Sequence, residues 1–257
     1  MSSSDTIPDF ALPQPPSSET SLSWIGKRIV SHIPVADSAL CEQEPGQVQA
    51  QLFQGEVLNL LGEQLHQGRK YDLIYLDPPY LSGASYRQTL RSRDGKRLGQ
   101  QAAYGDRMSR PSYLQFMHTV LRALQALLRE RGSLMLHCDW HAGHQLRQLL
   151  EELFGPERFL NELIWTKGAG GQPKGALPRK HDSIFWFANG AGHFSSFDSP
   201  LLRTPYDQST LQTHYRRQDE AGRHYREQVV NGKRYRSYAD QGKRITDVWT
   251  DIGAQHA

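Results

Sequence analysis

Residues 71–80 read Tyr71-Asp72-Leu73-Ile74-Tyr75-Leu76-Asp77-Pro78-Pro79-Tyr80. The first six form a nearly continuous apolar run closed by Asp-Pro-Pro, the pattern of a buried parallel strand. In open α/β sheets ligands bind beyond the carboxyl ends of strands, and Asp77–Tyr80 falls at such an end. Two consecutive prolines fix the backbone and remove its amide hydrogens, so their carbonyls can point outward as acceptors. A carboxylate and a carbonyl held in this way can accept both hydrogens of a planar exocyclic amine, which draws the nitrogen lone pair out of conjugation. The neighbouring tyrosine ring offers a face on which the heterocycle can stack. The stretch therefore suits N-methylation of a base, with Asp77, Pro78, Pro79 and Tyr80 as the catalytic candidates.

The flanking sequence fits the same picture. Before the strand, Gln51–Phe53 reads as a short strand and Val57–Leu65 as a short helix. After it, apolar residues at 113, 116, 117, 120, 121, 124, 127 and 128 mark an amphipathic helix over Tyr113–Arg131, ended by Gly132. Ser133–Cys138 is then a strand, His141–Phe154 a helix stopped by Gly155-Pro156, and Phe159–Lys167 and Asp182–Ala188 two further strands. This alternation predicts an α/β fold, a Rossmann-like parallel sheet with helices on both faces. Residues 1–48 are expected to be an extension, mobile and Ser/Pro-rich over the first 22 residues; 49–190 to form the catalytic part, and 191–257 a separate, β-rich segment. Asn231-Gly232 in the last of these is a strong hairpin signal.

The chain has 257 residues, 37% hydrophobic and 22% charged, enough apolar content for a core and too much for global disorder. It has no apolar run of membrane-spanning length and no signal-peptide pattern, and its two cysteines lie far apart. A soluble, cytoplasmic protein is expected. The net charge of +3 is uneven: residues 201–250 hold 10 Lys and Arg against 6 Asp and Glu. Residues 85–111 carry seven basic side chains, Arg87, Arg91, Arg93, Lys96, Arg97, Arg107 and Arg110, against two acidic ones. Two basic segments on a neutral body suit a polyanion, most simply nucleic acid, although charge alone favours the plainer reading of a solvated loop and a soluble tail.

YDLIYLDPPY resembles motif IV of the amino-methyltransferases that act on adenine N6 or cytosine N4 in DNA. AYGDRMSRPSYLQFM, GSLMLHCDWHAGHQLRQLLEELFGPERFLNELIWTKG and RKHDSIFWFANG follow in the order and spacing of site-specific DNA methylases of restriction–modification type. The resemblance covers most of residues 51–190, and Asp at the first motif position is typical of the adenine enzymes. It implies that Asp77 and the Pro78 carbonyl hold the target amine and that Tyr80 stacks on a base flipped out of double-stranded DNA. It implies S-adenosyl-L-methionine as methyl donor; Asp77 and, from its place at the carboxyl end of the next strand beside the presumed site, Asp139 are the cofactor-binding candidates. It further implies backbone contacts from Arg87, Arg91, Arg93, Lys96 and Arg97, and target recognition by the Tyr/Arg-rich segment that contains Arg216 and Arg217.

His137, His141 and His144 around Asp139 lack the companions of a metal site, so no metal is expected, and Asp139 has a plain alternative as the cap of the helix that follows. Gly168–Gly171 runs into Gln-Pro-Lys-Gly-Ala-Leu-Pro, which cannot open a helix, and is expected to be a loop. Family members with this motif order continue into an Asp-x-Phe-x-Gly-x-Gly cofactor segment, and nothing similar occurs before the chain stops after Asp247–Ile252 and a five-residue tail. The expectation is a C-terminally truncated adenine-N6 enzyme, with a complementing C-terminal chain as its partner. A cytosine-N4 enzyme and an inactive DNA-binding remnant are the alternatives.

Overall fold

The computed structural model describes residues 9–13, 21–35, 39–44, 50–83, 85–91, 97–105, 108–167, 173–190, 199–250 and 252. Contacts divide the chain into two units, 1–194 with 248–257, and 195–247.

The first unit is built on helix α1 (Val57–His66), strand β1 (Tyr71–Leu76), α2 (Arg110–Leu127), β2 (Leu128–Cys138), α3 (Gly143–Phe154), β3 (Phe159–Thr166) and β4 (His181–Ala188). The sheet order is Val248–Trp249, β3, β4, β2, β1. β1 runs parallel to β2, and Val248–Trp249 parallel to β3, while β4 is antiparallel to both of its neighbours. The expected α/β class is the one formed, as a partial Rossmann-like arrangement with a mixed rather than wholly parallel sheet.

The helices pack in one layer. α2 contacts both α1 and α3. Its buried stripe Tyr113, Leu114, Met117, Val120, Leu121 and Leu124 joins Leu134, Leu136, Phe185 and Phe187 of the sheet in a single core. Alternation along the strands turns the other set of side chains to the opposite face. That face carries Leu73 and Tyr75, which are 49% and 53% exposed. Two expectations are thereby corrected. Helices cover one face among the described residues, and the run YDLIYL is an edge strand rather than a buried central one.

α2 starts at Arg110, where Ser109 caps the amide of Ser112, and ends at Leu127 instead of Arg131. The pairing of Tyr71 with Leu128 draws residues 128–131 into the sheet against their helical pattern. Gln51–Phe53 does form a strand, Ala50–Gln54, paired with Ala39–Glu44 and not with the main sheet. Ser85–Arg91 pairs antiparallel with Arg97–Gly105, where a loop was expected.

Part of the expected N-terminal extension belongs to the core. Phe10–Ala11 pairs with His32–Ile33, and Leu12 and Ile33 are buried. The buried Arg122 guanidinium donates to the carbonyls of Val30 and Pro13. A Cβ at Gly62 of α1 would lie 1.9 Å from the Pro34 carbonyl oxygen, so only glycine admits this approach.

His118 on α2 is also buried, edge-on to Trp24. Burial, only partly offset by Glu152, pushes its pKa down to about 4. The unfolded imidazole titrates near pH 6.5, so protons bind the unfolded state first. Stability is full above about pH 6.5 and falls, by at most about 3 kcal/mol, as pH drops toward 4. Thermal unfolding between pH 7 and pH 5 should show this loss for the parent chain and a flatter profile for His118→Gln.

The second unit contains helix α4 (Gln208–His214), capped by Asp207, and a hairpin of β5 (His224–Val230) and β6 (Lys233–Tyr238) with Arg217–Gln218 on its outer side. Asn231 and Gly232 both take positive φ, as a two-residue hairpin turn requires. A small β-rich segment is therefore what the C-terminal region forms. Among the described residues no helix is long and apolar enough to cross a membrane.

Candidate active site

Asp77 leaves the carboxyl end of β1 with its side chain 58% exposed. The Tyr80 hydroxyl donates to its Oδ1 at 2.5 Å, and His137 Nδ1 lies 3.3 Å from the same oxygen. Among the described residues, Oδ2 has no partner. The hydrogen bond from His137 is the main influence holding the Asp77 carboxyl below the usual carboxylate range, against the opposing effect of burial. The site thus offers an ionised acceptor with one oxygen tied and one open.

The two prolines differ. Pro78 is buried, and the Pro79 carbonyl accepts from the buried Tyr113 hydroxyl at 2.8 Å. Pro79 is therefore a strut that ties the motif to α2, and its carbonyl is not the outward-facing acceptor expected of it. Tyr80 is bound through its hydroxyl to Asp77, and its ring meets His137 edge-on at 5.6 Å. Burial, reinforced by Asp77, raises the phenol pKa, so it stays a donor. Leu81 follows with φ 57°, a left-handed conformation costing about 1–2 kcal/mol in a non-glycine residue. Its side chain packs on the core, which holds the strained turn beside the motif.

Asp139 lies at the end of β2 with Oδ1 accepting from the His141 amide and Oδ2 2.6 Å from His141 Nδ1. It caps the turn before α3; the N-cap of α3 itself is Ala142, which corrects the expected role. Asp139 and Asp182 help line a cavity of about 320 Å³ with Arg147 and Glu162. The described residues contain no metal-binding group of three or more His, Cys, Asp and Glu side chains.

Of the expected cationic contacts, Arg87, Arg91 and Arg97 lie on the paired strands Ser85–Arg91 and Arg97–Gly105, with side chains outside the description, and Arg93 and Lys96 lie outside the described residues. Gly168–Gly171 also lies outside them. Arg217 pairs with Glu227 at 2.7 Å, and Arg216 donates to the Gln212 carbonyl at 2.8 Å. Sequence reasoning missed two residues at the motif, His137 and Asp182. They are 45 positions apart and meet because Ile184, two residues beyond Asp182 on the same face of β4, pairs with His137.

A DNA methylase family model, N6_N4_Mtase, matches residues 71–256. The chain belongs to this family. The methyltransferase family uses S-adenosylmethionine as its methyl donor. Type II methyltransferase M.EcaI of Enterobacter cloacae is 29% identical over 163 residues, which is 63% of this chain and 33% of that protein. The EcoP15I Mod subunit of Escherichia coli, from a type III restriction-modification enzyme, is 24% identical over 179 residues, 60% of this chain and 28% of that protein. The matches therefore span about a third of these relatives' length. Among solved structures, an M1.HpyAVI–SAM complex overlaps 54% of this chain at 13% identity with a TM-score of 0.35. The cytosine-N4-specific PvuII DNA methyltransferase overlaps 62% at 12% identity with a TM-score of 0.37.

The chemistry of this family member's motif wall fits a sulfonium donor. Asp77 is anionic with one oxygen open, and Tyr75 presents a half-exposed ring beside it on the face without helices.

Proposed function

We propose that this chain is the base-binding part of a site-specific DNA adenine-N6 methyltransferase of restriction–modification type, acting in the cytoplasm. Asp77 Oδ2 and the Pro78 carbonyl accept the two N6 hydrogens of a flipped adenine, and Tyr80 stacks on the ring. The observation that carries this reading is Asp77 itself, ionised, tied through Oδ1 and open at Oδ2. Asp at the first motif position favours adenine over cytosine. S-adenosylmethionine supplies an activated methyl group, and Asp77 and Asp139 are the residues that would hold it. What the protein adds is alignment: the amine is fixed with its lone pair exposed.

In this reading the donor-binding segment is not among residues 1–257 and comes from sequence beyond them or from a complementing polypeptide. The exposed Leu73 and Tyr75, on a strand that ends the sheet among the described residues, support that arrangement, because parallel sheets normally have both faces covered. Calorimetry on residues 1–257 alone should detect no tight stoichiometric donor binding, and such binding would refute this part of the reading. With a complementing chain carrying a Phe-x-Gly-x-Gly segment, nucleoside analysis of the DNA should yield N6-methyladenine. N4-methylcytosine would reassign the enzyme.

DNA contact by the second unit is supported by its hairpin. Beyond Arg217–Gln218, β5 and β6 form a free two-stranded ribbon, a shape the major groove admits. Lys233 and Arg234 are exposed at its tip, and neither has a carboxylate partner within 4 Å among the described residues. Arg217 and Arg236 are instead neutralised by Glu227. Lys233→Ala and Arg234→Ala should each lower the slope of log affinity against log salt by about one. Arg217→Ala should change it less.

A further inference from the structure

His137 joins Asp77 to the interior of the sheet. It stands on β2, one residue before the strand ends, with its side chain 7% exposed. Nδ1 lies 3.3 Å from Asp77 Oδ1 and 3.1 Å from the Tyr80 hydroxyl oxygen. Nε2 lies 3.2 Å from Asp182 Oδ2. Asp182, on β4, is almost wholly buried and also takes the Lys167 ammonium, which follows β3. Rings of Tyr75, Tyr80 and Trp165 surround the imidazole at 6.2, 5.6 and 5.5 Å. The titratable and charged groups facing it are thus Tyr75, Asp77 and Tyr80 from β1 and its end, and Asp182 from β4, with Lys167 behind Asp182.

Both ring nitrogens face acidic oxygens. A neutral imidazole donates from one nitrogen only and would turn a lone pair toward a carboxylate at the other. The imidazolium donates to both. Asp77, His137, Asp182 and Lys167 then alternate in sign and sum to zero, a balance that a buried charge requires. Burial alone would push the His137 pKa down, but its hydrogen bonds to Asp182 and Asp77 lift it to about 9.

We propose that His137, anchored by Asp182, is a positioning residue for the transfer: it keeps Asp77 ionised and ties up Oδ1, so that Oδ2 is the oxygen presented to the target amine. This rests on the methyltransferase reading above. In the step itself the amine nitrogen bonds to the methyl carbon, sulfur keeps the electron pair of the broken bond, and the surplus proton goes to water. His137 takes no part in that exchange. Its effect is on the acceptor, because a protonated Asp77 would offer a donor where the amine needs an acceptor.

The test separates this inference from the reading it rests on. Carboxyl and imidazole NMR titrations of the full chain report on His137 without any donor or DNA. His137 should titrate well above pH 6.5, and Asp182→Asn should move it down. His137→Gln should move the Asp77 midpoint up by about one pH unit or more. A His137 that titrates at or below pH 6.5, or an Asp77 midpoint unmoved by His137→Gln, overturns the proposal. In the supplemented enzyme, His137→Gln should lower kcat about tenfold with KM for DNA unchanged, and shift the acid limb of the kcat–pH profile upward. An unchanged profile overturns the proposal as well. If the titrations behave as expected while no DNA is methylated by the parent enzyme, it is the methyltransferase reading that has failed.

Discussion

Asp77→Asn should lower kcat/KM for DNA methylation by about 10²–10³-fold in the chain supplemented with its donor-binding complement. The substitution preserves volume, and the site explains why it cannot preserve function. Tyr80 and His137 both approach Oδ1 of Asp77 with donor hydrogens. An asparagine must place its carbonyl oxygen there, since its NH₂ would meet two donors. The NH₂ is then turned to the position of Oδ2, where the amine of the base also brings hydrogens. One acceptor is lost and a donor–donor conflict takes its place. DNA affinity should change little, because Asp77 is an exposed anion and contributes nothing to phosphate binding. Methylation assays alongside anisotropy binding check both halves, and full activity in the variant would refute the role assigned to Asp77.

The largest loss of stability is expected from Phe187→Ala, about 3–5 kcal/mol in chemical denaturation. Phe187 is fully buried on β4. Its ring lies 6.0 Å from Phe154 at the end of α3 and 5.4 Å from Phe159 at the start of β3. The Arg147 guanidinium covers Phe159 at 3.4 Å and is held by Glu151 at 2.7 Å. Truncation removes the ring on which helix and sheet meet, and the rigid neighbours cannot collapse into the space. Tyr75→Ser offers the contrast. Its side chain lies on the uncovered face, so the same measurement on the lone chain should register a change under about 1 kcal/mol.

What the sequence disclosed depended on how local each signal was. The motif's place at a strand's carboxyl end was legible because hydrophobic run, prolines and carboxylate are contiguous. The alternation of strands and helices followed from periodicity, and α2 was misjudged at its ends: it starts three residues earlier, behind the Ser109 cap, and the ladder to Tyr71 overrode the helical pattern of residues 128–131. The exposure of β1 was not legible. An apolar run states that both faces require cover and is silent on whether the same chain provides it. The His137–Asp182 pair was hidden for another reason. Each residue has a routine local reading, and only the antiparallel register of β2 and β4 gives them a common purpose. Likewise, nothing in Pro78-Pro79 announces that one carbonyl is claimed by Tyr113, thirty-four residues on.

The bare edge of β1 bears on how such a chain survives its own synthesis. An extended, apolar strand with no second neighbour among the described residues will accept any polypeptide that can lie along it, including another copy of itself. Asp72 is the one charged side chain in YDLIYL, and it is engaged in an ion pair with Arg129 of the neighbouring β2 at 2.5 Å. One carboxylate is a thin safeguard against inclusion-body formation. Production in step with whatever covers the edge, rather than in excess of it, is the condition under which this fold stays usable.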